Sequence, residues 1–207
     1  MVFSGIVHST GTITQASKST DSLTLEIESS SEFVADLQIG ASVCVDGVCL
    51  TVTSVNDTLM SFDLIIETLR STTFDTVKIS DQVNLERSIK FGDEIGGHIL
   101  SGHVSDTISI DKISKTDENY VLTFKTSSDI VKYIFPKGYV AINGVSLTVG
   151  DVFREDNLFD VYLIPETLRR TNLSNKLVGD LVNVEIESQT RNTVDTITQI
   201  TKENINA

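Results

Sequence analysis

The sequence predicts an all-β chain: two tandem antiparallel barrels, closed or nearly closed, followed by a C-terminal α-helix. Three observations predict this. Five blocks of residues occur twice in the same order. Each copy is made of short alternating strand patterns separated by hairpin dipeptides, and the final segment switches to helical spacing.

The duplication comes first. Phe3-Ser4-Gly5-Ile6-Val7 lies over Leu100-Ser101-Gly102-His103-Val104 at an offset of 97. At the same offset, Val43-Cys44-Val45-Asp46-Gly47-Val48-Cys49-Leu50-Thr51-Val52 lies over Val140-Ala141-Ile142-Asn143-Gly144-Val145-Ser146-Leu147-Thr148-Val149, and Phe62-Asp63 over Phe159-Asp160. Two residues then enter the second copy and the offset becomes 99, matching Glu67-Thr68-Leu69-Arg70 to Glu166-Thr167-Leu168-Arg169 and Val83-Asn84-Leu85-Glu86 to Val182-Asn183-Val184-Glu185. The order predicts a first unit over 1–97, a second over 98–187 and a tail over 188–207. Two long copies are too few for a solenoid, so each should be a small domain.

Within each copy the period is two. Ser22 to Glu28 and Tyr120 to Lys125 alternate polar and apolar residues, the pattern of half-buried strands. The Val-, Ile- and Thr-rich blocks around positions 43–55 and 140–149 are broken by Asp46-Gly47 and Asn143-Gly144, which tolerate the positive φ of a tight hairpin. Ser31 to Leu37 and Ser128 to Ile134 occupy equivalent places and read as short Ser-capped helices. In the tail, Val194, Ile197, Ile200 and Ile205 make one apolar stripe on an otherwise polar, Thr-rich helix. Such a helix needs a partner surface, either its own domain or another copy of the chain.

Composition narrows the function. With 16 Lys and Arg against 29 Asp and Glu, the net charge is −13, which opposes binding to nucleic-acid phosphates. Cys44 and Cys49 are too few for a disulfide framework, and no Cys/His spacing suggests a zinc site. No secretory signal and no membrane-spanning apolar run is read, so a cytoplasmic location is expected.

Several segments together resemble the riboflavin synthase family of the α-chain type, a family of tandem lumazine-binding barrels. They are Met1 to Val7, Gly47 to Val52, Gly96-Gly97-His98-Ile99-Leu100-Ser101-Gly102-His103, Asn143 to Val149 and Ile164-Pro165-Glu166-Thr167-Leu168. The resemblance covers nearly the whole chain and includes the repeat. It implies two six-stranded Greek-key barrels that each bind one 6,7-dimethyl-8-ribityllumazine, and a homotrimer held by the C-terminal helix. It further implies an active site between the N-terminal barrel of one subunit and the C-terminal barrel of the next, where a four-carbon unit passes between stacked rings. No metal or redox cofactor is implied; lumazine synthase is a further implied partner.

The same resemblance carries over a set of site residues. Gly5, Ile6 and Val7, with Gly102, His103 and Val104, would lay backbone beside the two rings. Cys49, Leu50 and Thr51, with Ser146, Leu147 and Thr148, would offer backbone, hydroxyl and thiol groups to the heterocycle. Asp63, Leu64, Ile65, Ile66, Glu67 and Thr68, with Ile164, Pro165, Glu166, Thr167, Leu168 and Arg169, would meet the ribityl chain, Glu67 and Glu166 most directly, and Lys137 would lie near ring or ribityl. The candidate catalytic set is His103, Ser146, Cys49, Asn143, Ser42 and Phe3, with Phe3 covering a bound ring. His103 could move a proton or donate one fixed hydrogen bond. Cys49 could be a nucleophile if its pKa is lowered, or a small buried hydrophobe. His98 reads as structural. By itself, Glu67 or Glu166 could be a helix cap or an exposed ion pair.

The chain departs from the family pattern in two places. Val2 is an extra residue with Ser4 in place of Thr, and Asp46 and Asn143 reverse the family's usual Asn in the first copy and Asp in the second. An Asn143 amide cannot titrate, so either the family's Asp is dispensable there, or His103 and Ser146 suffice, or turnover is slow. A rival expectation is a non-catalytic lumazine- or flavin-binding antenna of the same fold, which typically lacks parts of the repeated motifs.

Overall fold

Twelve strands form two closed six-stranded barrels in the computed structural model, which describes residues 2–116 and 119–205. Met1 of the opening motif and the last two residues of the expected tail lie outside the described residues. Barrel 1 holds β1 (Ser9–Lys18), β2 (Ser22–Glu28), β3 (Ser42–Val45), β4 (Val48–Asn56), β5 (Leu59–Ile65) and β6 (Gln82–Arg87). Barrel 2 holds β7 (Asp106–Lys115), β8 (Tyr120–Lys125), β9 (Tyr139–Ile142), β10 (Val145–Phe153), β11 (Leu158–Leu163) and β12 (Leu181–Ile186). Around barrel 1 the order is β1-β2-β5-β4-β3-β6, and barrel 2 repeats it. β6 returns beside β3 after the β3-β4-β5 meander, which is the Greek-key connection. Closure removes exposed strand edges.

The hairpin dipeptides behave as expected. Asp46 and Gly47 have φ 45 and 84, and Asn143 and Gly144 have φ 45 and 76, the left-handed pair of a two-residue turn. The helices around each barrel are shorter than the sequence suggested. α1 is Ser31–Val34, capped by Ser30, whose hydroxyl accepts from the Phe33 amide at 3.1 Å. Asp36 then takes φ 57 and redirects the chain. α2 (Ile66–Ser71), α3 (Ser128–Val131) and α4 (Pro165–Arg170) are also one or two turns; Ser127 precedes α3 without a capping hydrogen bond from its side chain.

One detail of the repeat is corrected. Val52 pairs with Phe62, and its counterpart Val149 pairs with Val161. Phe62 is therefore equivalent to Val161, not to Phe159. The two extra residues sit in the β10–β11 hairpin, which turns through Arg154 to Asn157 where the β4–β5 hairpin needs only Asp57 and Thr58. A hairpin tip is solvated, so lengthening it leaves both ladders in register.

Two large apolar cores fill the barrels, and they exchange one residue each. Val7, which precedes barrel 1 in sequence, belongs to the core of barrel 2, and Val104 packs against the core of barrel 1. A third small cluster of Phe3, Cys44, Leu100 and Ala141 lies between them. Phe3 and Leu100 form an isolated antiparallel bridge at 2.9 and 3.0 Å.

The hairpin tips of the two copies meet at a pseudo-two-fold axis, where Gly47 and Gly144 approach so closely that an added Cβ on either would reach 2.8 Å from the other's nitrogen. Asn84 Nδ2 donates to the Asn143 carbonyl at 3.0 Å, and Asn183 Nδ2 donates to the Asp46 carbonyl at 2.8 Å. The Asn172 and Thr73 amides donate to Asn84 Oδ1 and Asn183 Oδ1 at 2.7 and 2.9 Å. Asp46 Oδ1 accepts from the Asn84 amide at 2.7 Å and from Asn172 Nδ2 at 3.0 Å. Asn143, 1 % exposed, occupies the equivalent place. The reversal of Asp and Asn therefore falls in an inter-barrel joint, with Asp46 gripping Asn172 of the opposite copy.

The tail forms α5 (Ser188–Ile205). Tyr133 donates to Asp195 at 2.5 Å and Val194 touches the barrel 2 core, but Ile197, Ile200 and Ile205 are exposed. Among the described residues no helix is long and apolar enough to cross a membrane.

Burial pushes the Asp46 carboxyl up to about 7, opposed by its hydrogen bonds and by Lys176, with Asp81 adding a small push upward. A carboxyl raised in the fold favours the protonated state there. Stability is thus full below the ordinary carboxylate range near 4 and is lost as pH rises through about 7. Asp46→Asn should match the parent chain near pH 4 and exceed it by on the order of 4 kcal/mol by pH 8. Urea melts across that range check this; a gap that does not widen with pH contradicts it.

Candidate active site

Each candidate face is built from both copies. On barrel 1, the Cys49 amide donates to the Gly102 carbonyl at 2.9 Å; on barrel 2, the Ser146 amide donates to the Gly5 carbonyl at 2.8 Å. The loop that opens the first copy thus serves the second barrel, and the reverse. Gly5 and Gly102 both have φ 75. An added Cβ would lie 2.5 Å from Cβ of Ser146 or Cys49 respectively, so both conformation and contact require glycine.

Beneath each loop sits a buried carboxylate. Glu86 Oε1 accepts from the Ser4 amide at 2.6 Å and the Ser4 hydroxyl at 2.8 Å, and its Oε2 accepts from the Gly5 amide at 3.0 Å. Glu185 does the same for Ser101 and Gly102 at 2.8, 2.8 and 3.0 Å. Burial raises both carboxyls above the usual range, and the donated hydrogen bonds oppose that rise. Both residues stand inside repeated blocks, Val83 to Glu86 and Val182 to Glu185, that carry no motif pointing to their role. A signal exists: the Glu recurs after Val-Asn-Leu and Val-Asn-Val in the two copies, and a glutamate buried in such a strand needs partners.

The two faces differ chemically. On barrel 1, the Cys49 thiol is hydrogen-bonded with Ser42, and burial raises its pKa. A thiol held protonated is a poor nucleophile, so the thiolate alternative loses its basis. His103 is exposed on the loop over this face. On barrel 2, His98 Nδ1 lies 2.6 Å from Ser146 Oγ, and its ring stacks on Tyr139 at 5.2 Å and 17°. Burial lowers the His98 pKa, with Glu187 opposing, and its Nε2 is buried without a hydrogen-bond partner. His98 thus stands beside Ser146 on the candidate face, although from the sequence it reads as structural. Its position on the linker, outside the duplicated blocks, hid it.

The antiparallel run from the Val52–Phe62 pair brings the end of β5 alongside Cys49 to Thr51, and Val149–Val161 does the same beside Ser146 to Thr148. Thr51, Thr148, Asp63, Ile65 and Ile164 are exposed; Ile66, Thr68, Thr167 and Leu168 are half-buried. Leu50, Leu64, Leu147 and Val7 send their side chains into the cores, so only their backbones can face a ligand. Glu67 and Glu166 each stand in the first turn of a short helix, α2 and α4, with Pro165 opening the latter. Glu166 is ion-paired with Arg169 and Arg170, which hold its carboxyl below the usual range. Lys137 takes φ 65 where the first copy has Gly40 at φ 85, a left-handed backbone that strains a side chain at an exposed position.

Two expected catalytic residues are placed elsewhere. Phe3 is fully buried in the junction cluster and covers no open face. Asn143 faces the inter-barrel network. A cleft of about 640 Å³ also opens on that joint, lined by Asp46, Phe74, Gln82, Asn172 and Lys176. A second, about 440 Å³, reaches Ile6 beside Ser4, His8 and Arg87. Cys49 and Ser146 themselves are half-buried, with Thr51, His103 and Thr148 exposed beside them.

Comparison with known proteins places this geometry. A family model described as lumazine binding domain matches twice, over residues 4–88 and 101–187. Riboflavin synthase of Escherichia coli (strain K12) is 44 % identical over 200 residues, spanning 96 % of this chain and 93 % of that protein. Riboflavin synthase of Chlamydia pneumoniae is 46 % identical over 199 residues, spanning 96 % of each. Among solved structures, LumP complexed with riboflavin matches with a TM-score of 0.83 at 27 % identity, covering 90 % of this chain and 100 % of that one. LumP complexed with 6,7-dimethyl-8-(1'-D-ribityl) lumazine matches at 0.80 and 26 %, covering 88 % and 98 %.

Gly5→Ala should disrupt the Ser146 face and Gly102→Ala the Cys49 face, each costing about 1–3 kcal/mol of stability for the φ strain alone. Thermal melts give the cost, and titration with lumazine gives the binding. An alanine tolerated at either position with unchanged binding contradicts the close approach.

Proposed function

The chain belongs to the lumazine-binding family, on its riboflavin synthase branch, and from that premise we propose how its two faces serve the reaction. Two molecules of 6,7-dimethyl-8-ribityllumazine dismutate to riboflavin and 5-amino-6-(D-ribitylamino)uracil. A four-carbon unit passes between stacked pteridines. A reaction between two copies of one molecule needs two equivalent seats, and the pair of faces, Cys49 with Gly102 and Ser146 with Gly5, is the observation that carries this reading.

The chemistry asks for little covalent help. The 7-methyl protons of lumazine are acidic because the ring delocalises the carbanion, and the acceptor ring must gain a nucleophile at C7. Holding two rings in near-attack geometry can replace about 7–11 kcal/mol of barrier. Acid–base assistance adds about 10²–10⁴-fold. On the barrel 2 face, a neutral His98 bonded to the Ser146 hydroxyl is the group suited to moving that proton. His103, Ser42 and Cys49 provide the polar lining of the barrel 1 face. Lys137, Thr68, Thr167, Glu67 and Glu166 serve the ribityl chains; Glu166 must share its carboxylate with Arg169 and Arg170.

We assign the units to 1–97, 98–187 and 188–207, and the assembly to a homotrimer in the cytoplasm. A bound lumazine needs most of its surface enclosed, and Thr51, His103 and Thr148 at the two faces are exposed on a single chain. Packing the barrel 1 face of one protomer on the barrel 2 face of the next supplies the missing wall, and the exposed Ile197, Ile200 and Ile205 supply the seam. Association with lumazine synthase rests on the family alone.

The decisive assay mixes purified protein with lumazine and follows riboflavin fluorescence. Turnover is expected. A stable lumazine spectrum without product would instead mark an antenna, the role that a non-catalytic relative of this fold would play. Deletion of residues 188–207 should yield smaller species with little activity, checked by sedimentation. Full activity from a truncated monomer would overturn the shared site.

A further inference from the structure

Glu86 and Glu185 stand outside every role given so far, yet both are almost fully buried and each accepts three hydrogen bonds from one loop. A carboxylate removed from water at such cost must be held by donors, and here the donors all come from the segments that carry Gly5 and Gly102. Those segments then hand a carbonyl to the amide of Ser146 or Cys49.

The connection is crossed. Glu86 projects from β6 of barrel 1, but the loop it grips ends on Ser146 in β10 of barrel 2. Glu185 projects from β12 of barrel 2, but its loop ends on Cys49 in β4 of barrel 1. We infer that Glu86 and Glu185 are positioning residues that set, across the joint, the substrate face of the opposite barrel. This deepens the functional reading above and rests on it for its consequence in turnover, but the crossing itself is a property of the fold.

The geometry explains why glutamate is needed. The three donors at each site converge on two oxygens, and only an ionised carboxylate accepts with both. Glu86→Gln keeps the shape and turns one acceptor into a donor that faces an amide. The Gly5 loop should then lift, carrying its carbonyl away from Ser146 and loosening the hydroxyl that meets His98. Glu185→Gln should do this to the Gly102 loop and Cys49.

The test uses the full-length protein and two readouts besides turnover. Amide hydrogen exchange in Glu86→Gln should accelerate at Ser4, Gly5 and Ser146, with Cys49 protected as in the parent chain. Glu185→Gln should show the reverse, at Ser101, Gly102 and Cys49. The His98 ring resonances should move in Glu86→Gln and stay in place in Glu185→Gln. In turnover, each variant should lose at least about tenfold in kcat, since a misplacement near 1 Å costs up to about 10²-fold. Should Glu86→Gln fail to fold, Ser4→Ala removes one of the three bonds and should give the same pattern at Ser146, smaller in size. Exchange that rises only within the variant's own barrel, or equally at Ser146 and Cys49, overturns the crossing. An intact crossing in a protein that converts no lumazine would leave the inference standing and remove the functional reading instead.

Discussion

The fold depends on a mutual exchange of backbone hydrogen bonds. The loop opening each copy leaves its own barrel and gives a carbonyl to a strand of the other, Gly5 to Ser146 and Gly102 to Cys49. Neither barrel can then present a finished face alone. The exchange also fixes the hydrophobic bookkeeping, since Val7 fills the barrel 2 core and Val104 covers that of barrel 1. Two left-handed glycines make the approach possible, and two buried carboxylates hold the loops in place. Along the same pseudo-two-fold axis, Asn84 and Asn183 reach across to the opposite hairpin.

Within that symmetric frame the chemistry is unequal. The face with Ser146 has a buried histidine at hydrogen-bond distance and a tyrosine stacked behind it. The equivalent face has a thiol and a hydroxyl, with a histidine exposed on the covering loop. Duplication supplied two faces of one shape, and substitution gave one of them a buried histidine bonded to a hydroxyl. The acidic hairpin residue Asp46 belongs to neither seat. Its counterpart Asn143 is buried as well, so their reversal falls in the joint between barrels.

Much of this was legible in the residues. The repeat, the period-two strands and the Asp46-Gly47 and Asn143-Gly144 turns specify two barrels through local rules. The loops at Gly5 and Gly102 were recognisable as close-approach points. Their exchange was not, because nothing in a linear repeat says which copy a loop serves. His98 escaped because it precedes the repeated block that starts at Leu100 and has no counterpart within it. Phe3 and Asn143 were misplaced because burial at an inter-domain joint leaves no periodic signature. The misread match of Phe62 with Phe159 has a simple origin: two identical Phe-Asp pairs outweighed a two-residue change in hairpin length that only strand pairing reveals.

The claim that two faces share one chain is tested most directly by counting ligands. A ribityllumazine lacking the 7-methyl group cannot form the carbanion and should bind without reacting. Calorimetric titration should find two such molecules per chain in the intact assembly. One molecule per chain, with the Ser146 face left empty, would contradict the account.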